Sequence, residues 1–391
     1  MQSKLPNIGT SIFTVMSQLA AKHNAINLGQ GFPDFPMSAE LIECVNKAMQ
    51  SGGNQYAHTN GVPLLRERLA EKIKYLYDVN INPETNITIT PGGTYSIFCA
   101  FSTIIQPGDE VIIFEPAYDS YIPNIVFNGG IVVPIELEFP EYSIPWDKVK
   151  AAITPKTKAI VICNPNNPTG YLYSESEMEL LKSIVIKHNL FLFSDEAYRE
   201  FCYSGKHISA LQLKGAEEHV LMMDTISKRY SACGGRIGAL VSKNKSVIET
   251  AMKFAQARLS PPSFAQILGE AAVDLPDDYF DATKAEYQRR RDVLIDRLNK
   301  IPGVFCPNPG GAFYAIARLP IDDSDAFCQW ILESFEYNGS TVMMAPATGF
   351  YSTPGLGKNE VRLAYVLNEE SIHKAMDCLA EALKVYPGKT N

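Results

Sequence analysis

No stretch of this 391-residue chain is apolar for long enough to span a bilayer. Met1 to Ala20 carries neither an uninterrupted apolar core nor a cleavage signal. A cytoplasmic location, away from membranes, is therefore expected. Long runs of lysine and arginine are also missing, none exceeding the three of Arg289–Arg291, and 35 Lys+Arg against 43 Asp+Glu leave a net charge of −8. A nucleic-acid partner or an anionic membrane surface has no basic footprint here to bind. Eight cysteines, at 44, 99, 163, 202, 233, 306, 328 and 378, include no Cys-x-x-Cys pair. Reduced, mostly buried thiols are the expectation. The six histidines show no metal-ligand spacing and none accompanies a nucleophile motif, so zinc enzymes and Ser/His hydrolases are excluded and no metal is expected. No Gly-x-Gly-x-x-Gly opens the first strand–helix turn, which argues against a dinucleotide-dependent dehydrogenase.

What is present describes a globular protein. Apolar residues make up 46% and charged residues 20%, a balance that builds cores. At this length two domains are expected. Strand-like runs fall at Ile87–Thr90, Glu110–Phe114, Ile131–Ile135, Ala159–Cys163, Leu190–Phe193, Val220–Met223 and Ile237–Val241, separated by helix-length patterns. Such alternation predicts an α/β fold with a mostly parallel seven-stranded sheet between helices. Pro276 to Lys300 is a long charged helical pattern that reads as a connector. Beyond it, strands at Gly311–Ala317, Thr341–Ala345 and Val361–Val366 and helices at Ser324–Tyr337 and Glu369–Tyr386 predict a smaller α+β domain.

Four segments carry chemistry. Thr90-Pro91-Gly92-Gly93-Thr94-Tyr95-Ser96 lies between a strand pattern and a helix pattern, the setting in which a glycine turn cradles phosphate. Asn164-Pro165-Asn166-Asn167-Pro168-Thr169-Gly170 follows one strand, and Ser194-Asp195-Glu196-Ala197-Tyr198 follows another, so Asp195 is expected at a strand's C-terminal end, where α/β sheets bind ligands. Thr225-Ile226-Ser227-Lys228 runs on to Arg236, eight positions past the lysine (236 − 228). Taken singly each has a bland reading: a surface lysine, a helix cap at Asp195, an ordinary turn at Asn167, the outward face of an edge strand at Arg362. Their joint order is what carries weight.

In type, order and spacing these segments resemble the pyridoxal-phosphate-dependent aminotransferases of fold type I, class I/II, from Asn27 to about Leu383. The resemblance implies that Lys228 forms the Schiff base with the cofactor and afterwards moves the proton as general base and acid. It implies that Asp195 keeps the ring nitrogen protonated, that Asn167 and Tyr198 hold the phenolic oxygen, and that Tyr118 stacks on the ring. Gly93, Thr94, Thr225 and Arg236 match phosphate-binding positions. Arg362 matches the arginine for the substrate α-carboxylate, with Asn167 beside it and Gly31 in a lid over it. Tyr56 matches the tyrosine that reaches the phosphate of the neighbouring subunit, which implies a homodimer. The family's domain division implies a large cofactor domain over 46–285 and a discontinuous small domain from 1–45 and 286–391.

An amino-acid aminotransferase is thus expected, passing an amino group from an L-amino acid to a 2-oxo acid such as 2-oxoglutarate. Aspartate is the first donor considered; aromatic, kynurenine or methionine-type donors and a C–S lyase on the same fold are the alternatives. Three positions bear on that choice. Arg229 and Gly235 depart from the residues usual beside the lysine and arginine and could reshape the pocket, and Arg258 could meet a distal carboxylate. Tyr118, Tyr121 and the stretch Ala345–Tyr351 offer aromatic surface for a ring.

Overall fold

β-branched and aromatic runs such as Val-Ile-Ile-Phe at 111–114 and Ile-Val-Ile-Cys at 160–163 are buried along their whole length. Burial on both faces is what a strand inside a helix-covered parallel sheet requires. The computed structural model describes residues 12–390, so the first eleven residues of the expected small domain and leader reading lie outside the described residues. Its strands are β1 Ile26–Asn27, β2 Ile87–Thr90, β3 Glu110–Glu115, β4 Ile131–Glu136, β5 Thr157–Cys163 and β6 Phe191–Asp195. They continue with β7 Val220–Thr225, β8 Gly238–Val241, β9 Tyr314–Arg318, β10 Val342–Met343, β11 Ala345–Pro346 and β12 Glu360–Ala364.

Seven of these form one sheet in the order β2-β8-β7-β6-β5-β3-β4. The pairs among β4, β3, β5, β6 and β7 are parallel, and β8 runs antiparallel to both β7 and β2. Side chains alternate between two cores: Ala159, Val161 and Cys163 of β5 enter one, Ile160 and Ile162 the other. Helices close both faces. The helix Glu175–His188 shows how local sequence starts one: the Ser174 hydroxyl accepts from the Glu177 N–H while the Glu177 carboxylate accepts from the Ser174 N–H. Its last turn stops at Asn189, in the left-handed region at φ 52°.

A second, antiparallel sheet has the order β11-β12-β9, which puts Arg362 on its central strand and buries it rather than facing it outward from an edge. The single strand expected over Thr341–Ala345 divides instead. β10 pairs in parallel with β1, Ile26 opposite Val342, whereas β11 pairs with β12, Ala345 opposite Arg362. A chain passing between two sheets leaves no trace in its own alternation, which is why the sequence read as one element. The helices Asp278–Asn299, Ser324–Ser334 and Glu369–Val385 match the three expected there within a few residues. Among the described residues no helix is long and apolar enough to cross a membrane.

Candidate active site

β5, β6 and β7 are parallel, so their C-terminal ends meet on one edge of the main sheet. Asp195 ends β6 and Thr225 ends β7, with Lys228 three residues on; the Asn164 N–H donates to the Asp195 carbonyl at 2.9 Å and so brings the 164–170 loop alongside. The helix Gly93–Ile104 begins at the same edge. Its N-cap, Gly92, has φ 89°, and a Cβ there would stand 2.2 Å from Arg236 Nη2, so only glycine lets the guanidinium lie across the helix start. Free N–H groups of a first turn, a threonine hydroxyl and an arginine together suit a phosphate dianion.

One cavity brings together nine of the sequence-predicted residues: Gly93, Thr94, Tyr118, Asn167, Asp195, Tyr198, Thr225, Lys228 and Arg236. Asp195 is buried, and desolvation raises its carboxyl to about 6 even though the Tyr121 hydroxyl, at 2.9 Å, and the Ala197 N–H both donate to it. A carboxylate kept in so dry a place gains most from a cationic N–H partner. Tyr198 is buried with its hydroxyl 3.1 Å from that of Tyr314, and burial raises its pKa, so it is a neutral hydrogen-bonding phenol. The Thr225 hydroxyl lies 2.9 Å from both Ser227 Oγ and the Ile237 carbonyl.

Gly31 and Arg362 border this cavity. Lys228 Nζ donates to the Gly31 carbonyl at 2.7 Å. Arg362 is buried and donates to Asn167 Oδ1 at 3.1 Å and to the Gly29 carbonyl at 2.6 Å. Its guanidinium sits between the rings of Tyr314 and Phe350, 4.3 and 4.8 Å from their centroids. A flat cation held between two rings keeps its fork pre-set for a carboxylate.

The remaining positions lie outside the lining of this cavity. Tyr56 is 82% exposed and takes no part in the cavity of its own chain. Tyr121 offers no surface to a substrate ring, because it is buried with its hydroxyl on Asp195, and Tyr351 donates to Glu360 at 2.6 Å. Arg229 does not reshape the cavity; it turns into a buried ion cluster with Asp224, Glu200 and Arg199. Gly235 faces Leu268. Arg258 lies over the Tyr95 ring at 5.0 Å, outside the cavity lining, and its three guanidinium nitrogens have no hydrogen-bond partner among the described residues. Sequence reading missed Tyr314, Tyr121's contact with Asp195, and Ser227 and Cys233 in the lining. Ser227 alone had a local signal, as Lys228's neighbour. A larger cleft of about 700 Å³, around Tyr77, Tyr173 and His207, carries none of the expected site residues.

Residues 23–379 match the family model described as aminotransferase class I and II. The chain belongs to the class I and II aminotransferases. It is 31% identical over 384 residues to methionine aminotransferase of Escherichia coli, covering 97% of this chain and 98% of that one. It is 33% identical over 364 residues to aspartate/prephenate aminotransferase of Thermus thermophilus, covering 92% and 91%. A solved Escherichia coli structure with methionine aminotransferase function superposes with a TM-score of 0.90 at 30% identity, covering 97% of this chain and 99% of that chain. The fold is accordingly fold type I, and the protein is an amino-acid aminotransferase that depends on pyridoxal phosphate. The cavity's donor set fits that group. It has an amine for the aldehyde, a buried carboxylate for the ring nitrogen, and a helix start with Arg236 for the phosphate, in a space that a Cβ on Gly92 would block.

Proposed function

We propose that this cavity is the active site, with Lys228 as the residue that holds the cofactor. The observation that carries the reading is the convergence of the Lys228 amine, the buried Asp195 and the Arg236-capped helix start on one cavity bordered by Arg362. Bound there, pyridoxal phosphate supplies an electron-withdrawing ring that stabilises negative charge at the substrate's Cα. Asp195 pairs with the ring nitrogen, Asn167 and Tyr198 hold the ring oxygen, and Tyr118 covers the ring. Gly93, Thr94, Thr225 and Arg236 take the phosphate. Arg362, with Asn167 and the Gly31 loop, fixes the α-carboxylate of the amino donor and then of the 2-oxo acid, 2-oxoglutarate being the acceptor of choice. The Lys228 amine, set free when the donor is bound, would take the proton from the donor's Cα and, in the reverse half-reaction, give one to the Cα of the new amino acid.

The working unit is a homodimer in which Tyr56 reaches the partner's phosphate, a reading supported by its 82% exposure on its own chain. We further propose a large domain over 46–285 and a small one from 1–45 and 286–391. The β1–β10 pairing, which ties the early chain to the late one, supports that division. Eight cysteines without a disulfide among them suit a reducing cytoplasm.

For the donor, we favour a large neutral side chain of the methionine or aromatic type. Besides Lys228 and Arg236, no lysine or arginine among the described residues lines the cavity to meet a second carboxylate. Aspartate, first in the sequence reading, stays as the second reading because Arg258 leaves three donors without hydrogen-bond partners among the described residues. A screen of methionine, phenylalanine, tyrosine, kynurenine and aspartate against 2-oxoglutarate decides. The expected result is kcat/KM at least tenfold higher for a neutral donor than for aspartate, roughly the discrimination a shaped apolar pocket provides. A best rate with aspartate, lost selectively in Arg258→Ala, would establish the second reading. Keto acid formed without any acceptor would indicate a lyase.

A further inference from the structure

Glu115, the last residue of β3, is wholly buried, and among the described residues no cation pairs with it. An anion so placed is costly unless its oxygens are fully hydrogen-bonded. Among the described residues, every hydrogen bond its carboxylate accepts comes from one distant loop. Ser352 donates to Oε1 through both its N–H and its hydroxyl, and Thr353 donates to Oε2 through its hydroxyl at 2.9 Å and its N–H at 3.4 Å. That loop joins the Ala347–Phe350 turn to β12, which carries Arg362. The tie is reinforced next door, where the Ala117 N–H donates to the Phe350 carbonyl at 2.8 Å. Phe350 in turn backs the Arg362 guanidinium, and Tyr118 follows Ala117 into the cavity wall.

We infer that Glu115 is a positioning residue for the substrate carboxylate: it fastens the Phe350–Thr353 segment to the end of β3 and so sets Arg362 against the Tyr118 wall. Glu115 lines neither the cavity nor its phosphate end. Its effect therefore falls on carboxylate binding and leaves cofactor binding alone. The oxygens of Glu115 accept from all four donors, whereas a glutamine offers one acceptor and sets an amide N–H₂ against a donor. This inference rests on Arg362 being the carboxylate anchor, so the experiment includes a separate check on that role.

In purified holoenzyme, Glu115→Gln is expected to raise KM for the best donor and Ki for the amine-free probe 3-phenylpropionate by about tenfold each. The same variant should keep kcat within about twofold, with cofactor content and visible absorbance unchanged, a split expected when binding shared equally by ground and transition states is lost. A structural weakening alone would lower cofactor content and kcat together, and either that or unchanged KM and Ki overturns the proposal. If Glu115→Gln yields no soluble holoenzyme, the Ser352→Ala Thr353→Val double variant decides on the same readouts. Arg362→Lys separates the two readings. If it leaves Ki unchanged, the carboxylate role of Arg362 fails; if it raises Ki while Glu115→Gln does not, only the role of Glu115 fails.

Discussion

Asp195 and Glu196 are neighbours with opposite orientations and different chemistry. Asp195 faces the cavity, where its charge is the asset. An asparagine keeps one oxygen, enough for either Tyr121 or Ala197, which donate to different oxygens of Asp195, and it loses the charge. Asp195→Asn is therefore expected to retain cofactor while turnover falls a hundredfold or more, about 3 kcal/mol of barrier. Near wild-type turnover would refute the assignment. Glu196 points away, its Oε1 accepting from Ser194, Ser209 and Ala210, and burial raises its carboxyl from 4.5 to about 7. A carboxyl raised on folding contributes fully below pH 4.5 and loses that contribution as pH climbs through about 7, a change on the order of 3 kcal/mol. Glu196→Gln, which keeps the accepting oxygen, is therefore expected to melt above wild type at pH 8, the gap shrinking toward pH 5. A lower melting temperature at pH 8 would count against this. The sequence marked Asp195 as a strand-end carboxylate but distinguished Glu196 only by position. What separates them is the side of β6 each faces and the dryness there, which neighbouring strands determine.

Among the elements, the Leu28–Phe35 loop depends most on distant chain. Its glycines and proline predicted a turn and nothing more, yet Gly31 is required by a residue 283 positions away. A Cβ on Gly31 would stand 1.8 Å from the Tyr314 hydroxyl, which also meets Tyr198 and whose ring supports Arg362. Gly31→Ala is thus expected to raise KM for the amino donor about tenfold or more and, because the displaced Tyr314 belongs to a core, to lower the melting temperature by several degrees. Steady-state kinetics beside a thermal melt checks it, and an unchanged KM would remove Gly31 from the site. Tyr314 itself was invisible in the sequence because it sits in an ordinary strand pattern. Alternation tells which residues are buried, and a buried tyrosine reads as packing until its hydroxyl's partners are known. The glycine turn at Gly92–Gly93 was legible for the opposite reason: strand, turn and helix adjoin in sequence, so the cradle is local.

For the molecule as a whole, the seven strands of the main sheet were legible within a residue or two at each end, because most are short runs of apolar and β-branched residues set off by helix-length patterns. Their order was not, since it depends on which edges pair across long connections. Nor was the exposure of Tyr56, Met49 and Leu259, or of Ile42, which lines an apolar hollow reaching Arg236 together with Met37, Val45, Phe264 and Leu268. A patch of that kind next to a site suits cover by a second copy. Mixing Tyr56→Ala with Lys228→Ala, each nearly inactive alone, should restore about a quarter of wild-type activity, because half of randomly re-formed dimers carry one intact site of two. No gain on mixing, or a fully active monomer in sedimentation, would exclude shared sites. The central claim, that Lys228 holds the cofactor in this one cavity, is tested most directly by borohydride reduction of the yellow holoenzyme followed by peptide mapping. The account expects a single reduced cofactor adduct, on Lys228. An adduct on any other lysine, or a colourless protein that takes up no pyridoxal phosphate, would contradict it.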